Sequence, residues 1–140
     1  MKRQYIFASH GTLASGVLNS VELILGKRDN IETLCAYVEE GVDLSQQVDA
    51  LMAKIPAEDE VIVLTDIFAG SVNNEFIRYL HRQHFHLLAG INLPLVIDLL
   101  MSEEEEDAVQ AISAALINSR ENIQYCNQTI TSAIHSDKDF

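Results

Sequence analysis

The sequence predicts an α/β fold with a doubly wound, mostly parallel sheet and helices on both of its faces. Short apolar runs alternate with amphipathic stretches along the chain, which is typical of βα units. The run Val61-Ile62-Val63-Leu64 is continuously apolar, as in a strand that is buried on both faces. The 140 residues are 48% hydrophobic, with two prolines and no Gly/Ser-rich linker, so we expect one domain over residues 1–140.

Four strands are predicted from the apolar runs. They are Gln4–Ser9, Glu32–Val38, Glu60–Thr65 and Phe85–Ala89. A helix is predicted between each strand and the next, so these strands run in the same direction. The expected order across the sheet is 2-1-3-4, which is common among doubly wound folds.

The helices are predicted from apolar residues at three- and four-residue spacing. They are Leu13–Leu25, Leu44–Ile55, Val72–His81, Pro94–Met101 and Glu104–Ser119. In the second helix, Asp43 stands at the N-cap and Pro56 follows the end. After the last helix, Ile123–Cys126 is expected to form a short fifth strand. The residues from Asn118 to Asn122 leave no room for a crossover, so this strand returns antiparallel or pairs elsewhere.

Charge and composition exclude several classes of partner. A net charge of −12 repels phosphate backbones and anionic lipids, so nucleic acid is not an expected partner. The first apolar run meets His10 and Gly11 too soon for a signal peptide, and no run approaches the roughly 18 apolar residues of a membrane span. Cys35 and Cys126 have no metal-type or redox spacing, so a reducing cytoplasm is the expected location.

Reactive side chains follow two strands that are neighbours in the predicted order. Ligands of doubly wound sheets bind beyond the carboxyl ends of the strands, where successive connections diverge to opposite faces. That crevice lies between the first and third strands, so His10 and Asp66 are expected to converge there. Gly11 and Thr12 follow His10 directly and are expected to shape the pocket.

An imidazole beside a carboxylate has a clear chemical use. The carboxylate of Asp66 would accept the N–H of one ring nitrogen, which leaves the other nitrogen of His10 as a nucleophile. The Ala69-Gly70-Ser71 turn opens the next helix, so its amides and the Ser71 hydroxyl are expected to bind phosphate oxygens. Phosphoryl transfer needs little beyond such positioning, and we expect neither a metal nor a cofactor. Each part also has a structural alternative, since Asp66 can cap the following turn and Ser71 can be an N-cap.

The chain resembles the enzyme IIA domain of the mannose family of the bacterial phosphoenolpyruvate-dependent sugar phosphotransferase system. Three segments carry the resemblance. The most diagnostic feature is the Gly-x-Asn-Leu-Pro turn from Gly90 to Pro94. The three segments are Ile6-Phe7-Ala8-Ser9-His10-Gly11, the stretch from Leu64 through Asp66 and Ser71 to Asn74, and Ala89-Gly90-Ile91-Asn92-Leu93-Pro94-Leu95.

The resemblance implies a phosphoryl carrier. His10 would take the phosphoryl group from the phosphorylated histidine carrier protein and pass it to the cognate enzyme IIB, which feeds a membrane permease. Asp66 would be the partner of His10, Ser71 would contact phosphoryl oxygens, and Asn92 and Pro94 would shape the pocket wall by packing. The family is typically dimeric, with the C-terminal antiparallel strand exchanged across the interface. The transported sugar stays open.

Two departures from the family pattern are visible. Many members have Gly-Gly-Ser-Pro after the carboxylate, whereas this chain has Ala69-Gly70-Ser71-Val72, so the backbone at residue 69 is expected to differ slightly. Members are often fused to a IIB domain, and this chain ends at Phe140 without one. It is therefore expected to be a stand-alone subunit or a piece of a fusion.

Other features are interpreted as structural. His81, His84 and His86 suggest a metal site, but no Asp, Glu or Cys completes a ligand set nearby in sequence. The acidic run Glu103–Asp107 is expected to be a solvated helix start. Two alternative functions remain: a small tetrapyrrole metal chelatase, which also presents a His-Gly at the first strand end, and a flavin-phosphate binding module, whose hydroxyl-rich loop the sequence matches poorly.

Overall fold

The computed structural model describes residues 2–131 and contains a four-stranded parallel sheet. Its strands are β1 (Arg3–His10), β2 (Ile31–Ala36), β3 (Glu60–Thr65) and β4 (Phe85–Ala89). Their order is β2-β1-β3-β4, and every pair is parallel, so the predicted order 2-1-3-4 is confirmed. The register places His10 opposite Ala36 and Ala8 opposite Thr65.

Each of the five predicted helices is present between residues 2 and 131, and residues 126–131 form a further helical segment that was not predicted. The five are α1 (Leu13–Leu25), α2 (Leu44–Ala53), α3 (Ser71–Ile77), α4 (Leu93–Met101) and α5 (Ala108–Glu121). The N-cap at Asp43 is confirmed, because its carboxylate accepts hydrogen bonds from the amides of Ser45 and Gln46 at 2.8 and 3.4 Å. In the range 2–131, no helix is both long enough and apolar enough to cross a bilayer.

Apolar side chains fill both faces of the sheet, because alternate residues of a strand point to opposite sides. Tyr5, Phe7 and Leu64 pack on one side with residues of α1, α4 and α5. Ile6 and Val63 pack on the other side with residues of α2 and α3. This two-sided burial explains the uninterrupted apolar run of β3 and confirms a doubly wound sheet.

Several element boundaries differ from the sequence prediction, and the structure gives a physical reason for three of them. Strand β2 ends at Ala36 instead of Val38, because Tyr37 leaves the extended conformation with φ of 66°. Helix α3 ends at Ile77, where three-residue turns begin with the Tyr79 amide donating to the Phe76 carbonyl at 3.0 Å. Helix α5 begins four residues later than predicted because Asp107 is its N-cap.

The predicted fifth strand at Ile123–Cys126 is wrong for this chain. Residues 123–125 are irregular, and residues 126–131 are helical. The Thr129 amide donates to the Tyr125 carbonyl at 3.1 Å. Backbone groups that would form hydrogen bonds with a neighbouring strand therefore form them within this segment. A four-residue apolar alternation is shorter than a typical strand, so these local bonds decide the conformation here.

Candidate functional site

The candidate site lies at the carboxyl edge of the sheet, where β1, β2 and β3 end. His10 is the last residue of β1, and Asp66 directly follows β3. Gly11 turns the chain away with φ of 62°, and its amide donates to the Ala36 carbonyl at 2.8 Å. The Ser9 hydroxyl accepts from the Ala14 amide at 2.8 Å, which fixes the turn between β1 and α1. The backbone around His10 is therefore held on both sides.

His10 and Asp66 are joined by two contacts to a single oxygen. Asp66 Oδ2 accepts a hydrogen bond from the His10 amide at 2.8 Å, and it lies 2.8 Å from His10 Nδ1. The other oxygen, Oδ1, accepts from the Ile67 amide at 3.0 Å. Asp66 therefore caps the following turn through one oxygen and contacts the imidazole through the other. The convergence predicted from the topology is present.

Asp66 is charged at neutral pH. Burial of its side chain, which is only 7% exposed, raises the pKa of the carboxyl. The hydrogen bonds from the His10 backbone and side chain have the opposite effect, and the pKa ends below its ordinary value. An ionised carboxylate can only accept, so Nδ1 of His10 carries the proton and donates it. In the neutral ring Nε2 then has the free lone pair.

Ser71 approaches the imidazole at this second nitrogen. Its hydroxyl oxygen lies 3.2 Å from His10 Nε2. The Tyr37 hydroxyl lies 2.7 Å from the Ser71 oxygen, and the rings of Tyr37 and His10 have centroids 5.5 Å apart. The His10 side chain is 39% exposed, whereas the side chain of Asp66, which contacts Nδ1, is only 7% exposed.

The turn between Asp66 and α3 forms one wall of the site. Ala69 has φ of 63°, a left-handed conformation that favours glycine. Gly70 is the N-cap of α3, and its amide donates to the Ile67 carbonyl at 3.1 Å. A Cβ at Gly70 would lie 3.3 Å from Ile67 Cβ and 3.5 Å from His10 Cε1, so glycine permits the close approach of this wall.

The remaining predicted pocket residues occupy turns around this centre. Thr12 is the N-cap of α1 and makes no side-chain cap bond. Asn92 caps α4, because its Oδ1 accepts from the Leu95 amide at 3.0 Å, and Pro94 lies in the first turn of that helix. The amides of Gly90 and Ile91 both donate to the Thr65 carbonyl at 2.9 Å, which attaches this turn to the end of β3. Among residues 2–131, no hydrogen bond joins Asn92 to His10.

Two residues of the site were not identified from the sequence pattern. Tyr37 lies one residue beyond β2, at the same sheet edge as His10, and an aromatic hydroxyl at that place was the available signal. Asn73 is buried in α3, and its Oδ1 accepts from the Thr65 hydroxyl at 2.7 Å. This buried bond fixes α3, and with it Ser71, against the end of β3.

The histidines of the 81–86 segment lie elsewhere in the molecule. His86 Nε2 is 3.0 Å from Glu60 Oε2, near the amino end of β3. In the part of the chain that the structure describes, no three His, Cys, Asp or Glu side chains are grouped as metal ligands. In the turn after β3, next to the carboxyl edge of the sheet, the apolar side chain of Phe68 is 82% exposed.

The chain is similar to known proteins along most of its length. The EIIA-man family model, described as "PTS system fructose IIA component", matches residues 4–117, a range that includes His10, Asp66 and Ser71. The "PTS system mannose-specific EIIAB component" of Escherichia coli K12 is 25% identical over 122 residues, which are 85% of this chain. The chain spans only 38% of the length of that relative.

Two further relatives match over nearly their whole length. The "PTS system fructose-specific EIIA component" of Bacillus subtilis is 24% identical over 136 residues, or 96% of this chain and 93% of that protein. A crystal structure from Klebsiella pneumoniae, of a protein named for the phosphoenolpyruvate-dependent sugar phosphotransferase system, is 69% identical with a TM-score of 0.91. That alignment covers 93% of this chain and 95% of the Klebsiella chain.

Proposed function

Because the chain belongs to the EIIA-man family of the sugar phosphotransferase system, we propose that it carries a phosphoryl group on Nε2 of His10 between two partner proteins. The observation that carries this proposal is the pair of contacts on the imidazole. Asp66 lies 2.8 Å from Nδ1, and the Ser71 hydroxyl lies 3.2 Å from Nε2. Nδ1 is thereby fixed, and Nε2 lies beside a hydrogen-bond donor on a side chain that is 39% exposed.

The chemistry follows from that geometry. The lone pair of Nε2 attacks the phosphorus of the donor, and a bond from Nε2 to phosphorus forms. The bond between the donor atom and phosphorus breaks, and the donor atom keeps its electron pair. The ring then carries a positive charge with its proton still on Nδ1, and the carboxylate of Asp66 offsets that charge. The onward transfer is the same step with the acceptor as nucleophile.

Ser71 is proposed to stabilise charge during the transfer. Negative charge in a phosphoryl transition state is spread over the three equatorial oxygens of the group. The Ser71 hydroxyl lies beside the attacking nitrogen, so it can donate to one of these oxygens when the phosphoryl group arrives. The turn at Ala69 and Gly70 directly precedes Ser71 and holds it in place. No step of the proposed transfer requires a metal or a cofactor.

The proposed donor is the phosphorylated histidine carrier protein, and the proposed acceptor is the cognate enzyme IIB. A protein partner must bring its own side chain to Nε2, which requires an open site. The partial exposure of His10 supports this, as do the exposed apolar side chains of Leu13 and Phe68 near the same sheet edge. Contact with the membrane permease would be indirect, through enzyme IIB.

A homodimer is also proposed. Ile123, Tyr125 and Ile130 are all exposed in the single chain, and a second copy would remove this apolar surface from water. Sedimentation equilibrium tests the proposal, since twice the chain mass is expected at micromolar concentration. A monomer at all accessible concentrations would contradict it.

Phosphorylation by purified partners tests the carrier function. The protein is incubated with labelled phosphoenolpyruvate, enzyme I and the histidine carrier protein, and we expect one label that is acid-labile and base-stable. His10→Ala is expected to abolish the label, whereas His81→Ala, at an exposed histidine outside the site, should keep it. An unlabelled wild type, or label that survives His10→Ala, would exclude the proposed function.

A further inference from the structure

Tyr37, which directly follows β2, contacts both Ser71 and His10. Its hydroxyl lies 2.7 Å from the Ser71 hydroxyl oxygen, which in turn lies 3.2 Å from His10 Nε2. Its ring is tilted by 41° to the His10 ring, with centroids 5.5 Å apart. The tyrosine therefore approaches the proposed phosphoryl site both through a hydrogen bond and through ring contact.

The direction of these hydrogen bonds follows from counting protons. Asp66 is ionised and accepts a hydrogen bond from the N–H at Nδ1, so Nε2 of the neutral ring has no proton and can only accept. Ser71 has one hydroxyl proton and donates it to Nε2. Because this proton is already used in the bond to Nε2, the Ser71 oxygen can only accept a hydrogen bond from Tyr37. The Tyr37 hydroxyl must therefore be the donor. The result is a directed chain from Tyr37 to Ser71 to His10.

The backbone of Tyr37 indicates that this position is held by specific contacts. Its φ of 66° lies in the left-handed region, which is unfavourable for a residue with a Cβ. The residue is 62% exposed, so burial of the ring in a core does not hold it there. Unfavourable backbone conformations persist where surrounding contacts require them, and such positions cluster at functional sites.

We infer that Tyr37 is a positioning residue for phosphoryl transfer, acting through Ser71; this inference rests on the proposed carrier function. The Tyr37 hydroxyl fixes the Ser71 oxygen beside Nε2. Ser71 can then redirect its proton by rotating about the Cβ–Oγ bond, from Nε2 in the resting protein to a phosphoryl oxygen during transfer. A donated hydrogen bond also polarises the Ser71 hydroxyl and makes it a stronger donor.

The first test is the rate of phosphoryl acceptance in a single turnover, with the phosphorylated histidine carrier protein as donor. Tyr37→Phe keeps the ring and removes the hydroxyl, and we expect the rate to fall roughly threefold to tenfold, as for loss of one hydrogen bond. Tyr79→Phe is the matched control, because its hydroxyl is also hydrogen-bonded, to Asp49 at 2.5 Å outside the site. Its rate should stay within about twofold of wild type.

A double-mutant cycle shows whether Tyr37 acts through Ser71, or instead acts directly on the phosphoryl group or only on the folded structure. In a Ser71→Ala protein the hydroxyl that Tyr37 positions is absent, so adding Tyr37→Phe should change the rate by less than about twofold. An equal loss with and without Ser71 would overturn the inference. Melting curves of all four proteins establish that equal fractions are folded at the assay temperature.

A spectroscopic measurement supplies a second readout. At a pH where the imidazole is neutral, the ¹⁵N resonance of His10 Nε2 reports the hydrogen bond that it accepts. Tyr37→Phe should shift this resonance, and Tyr79→Phe should not. If wild type takes up label but Tyr37→Phe matches it in rate and in ¹⁵N shift, the inference fails and the carrier function stands. If wild type takes up no label, the carrier function itself fails.

Discussion

A single carboxylate oxygen, Asp66 Oδ2, binds His10 twice, at the backbone amide and at ring Nδ1, both at 2.8 Å. The amide bond fixes where β1 ends relative to the carboxylate, and the ring bond fixes the rotation and the tautomer of the imidazole. Since both bonds share one acceptor atom, a shift of the backbone would also move the ring. The ring that is proposed to carry the phosphoryl group is therefore oriented by the same oxygen that binds the last amide of β1.

Replacing Asp66 with Asn removes the charge and keeps the size of the side chain. An amide group does not stabilise the positively charged phosphorylated ring, and it no longer enforces a proton on Nδ1. We expect phosphoryl acceptance to fall roughly 10- to 150-fold, as for loss of a hydrogen bond to a charged group. The rate of labelling by the phosphorylated histidine carrier protein measures this effect.

The matched control for that substitution is Asp29→Asn, at an exposed aspartate between α1 and β2. It makes the same change in charge far from the carboxyl edge of the sheet. Its labelling rate should equal that of wild type. If Asp66→Asn labels as fast as Asp29→Asn, the carboxylate does not orient His10 for transfer.

The same carboxylate should make stability depend on acid. The folded protein holds the pKa of Asp66 below its ordinary value of 3.8, so the unfolded chain binds this proton more readily. The stabilisation is thus fully present above the unfolded pKa and is lost as the pH falls through the folded pKa. Urea unfolding should show wild type more stable than Asp66→Asn at pH 6, with the difference shrinking below pH of about 4. A difference that stays constant down to pH of about 2 would rule out this linkage.

Ala69 provides a test of backbone strain in the turn before Ser71. With φ of 63°, its Cβ is in an unfavourable conformation that glycine adopts freely. Ala69→Gly is therefore expected to raise the free energy of unfolding by about 1 kcal/mol, measured by urea denaturation. Ala57→Gly, at an exposed alanine without positive φ, should lower it by about 0.4 to 1 kcal/mol. Equal effects at the two positions would show that Ala69 carries no strain.

The parts of the fold that were predicted correctly are those with a strong local pattern. The strands Glu60–Thr65 and Phe85–Ala89 have the predicted bounds, because their apolar runs are bordered by polar or turn residues. The meeting of His10 with Asp66 was predicted because parallel strands that are adjacent in the sheet end at a common edge. The predicted strand order thus placed His10 near Asp66, although no local sequence pattern links the two residues.

Features that depend on single backbone angles or on weak patterns were missed. The left-handed turn at Tyr37 shortened β2 and brought its hydroxyl to Ser71, and no propensity predicts positive φ for tyrosine. The start of α5 was set by the side chain of Asp107, one of several acidic residues that can cap a helix. The strand expected at Ile123–Cys126 depended on only four residues, and the structure has no strand there.

The most direct test of the central claim is to locate the phosphoryl group on the imidazole. The protein is labelled uniformly with ¹⁵N and phosphorylated by enzyme I and the histidine carrier protein, and the ring nitrogen that couples to ³¹P is identified by NMR. We expect one phosphohistidine, at His10, bonded through Nε2, with the proton kept on Nδ1 beside Asp66. Phosphorus on Nδ1, or on any residue other than His10, would contradict it.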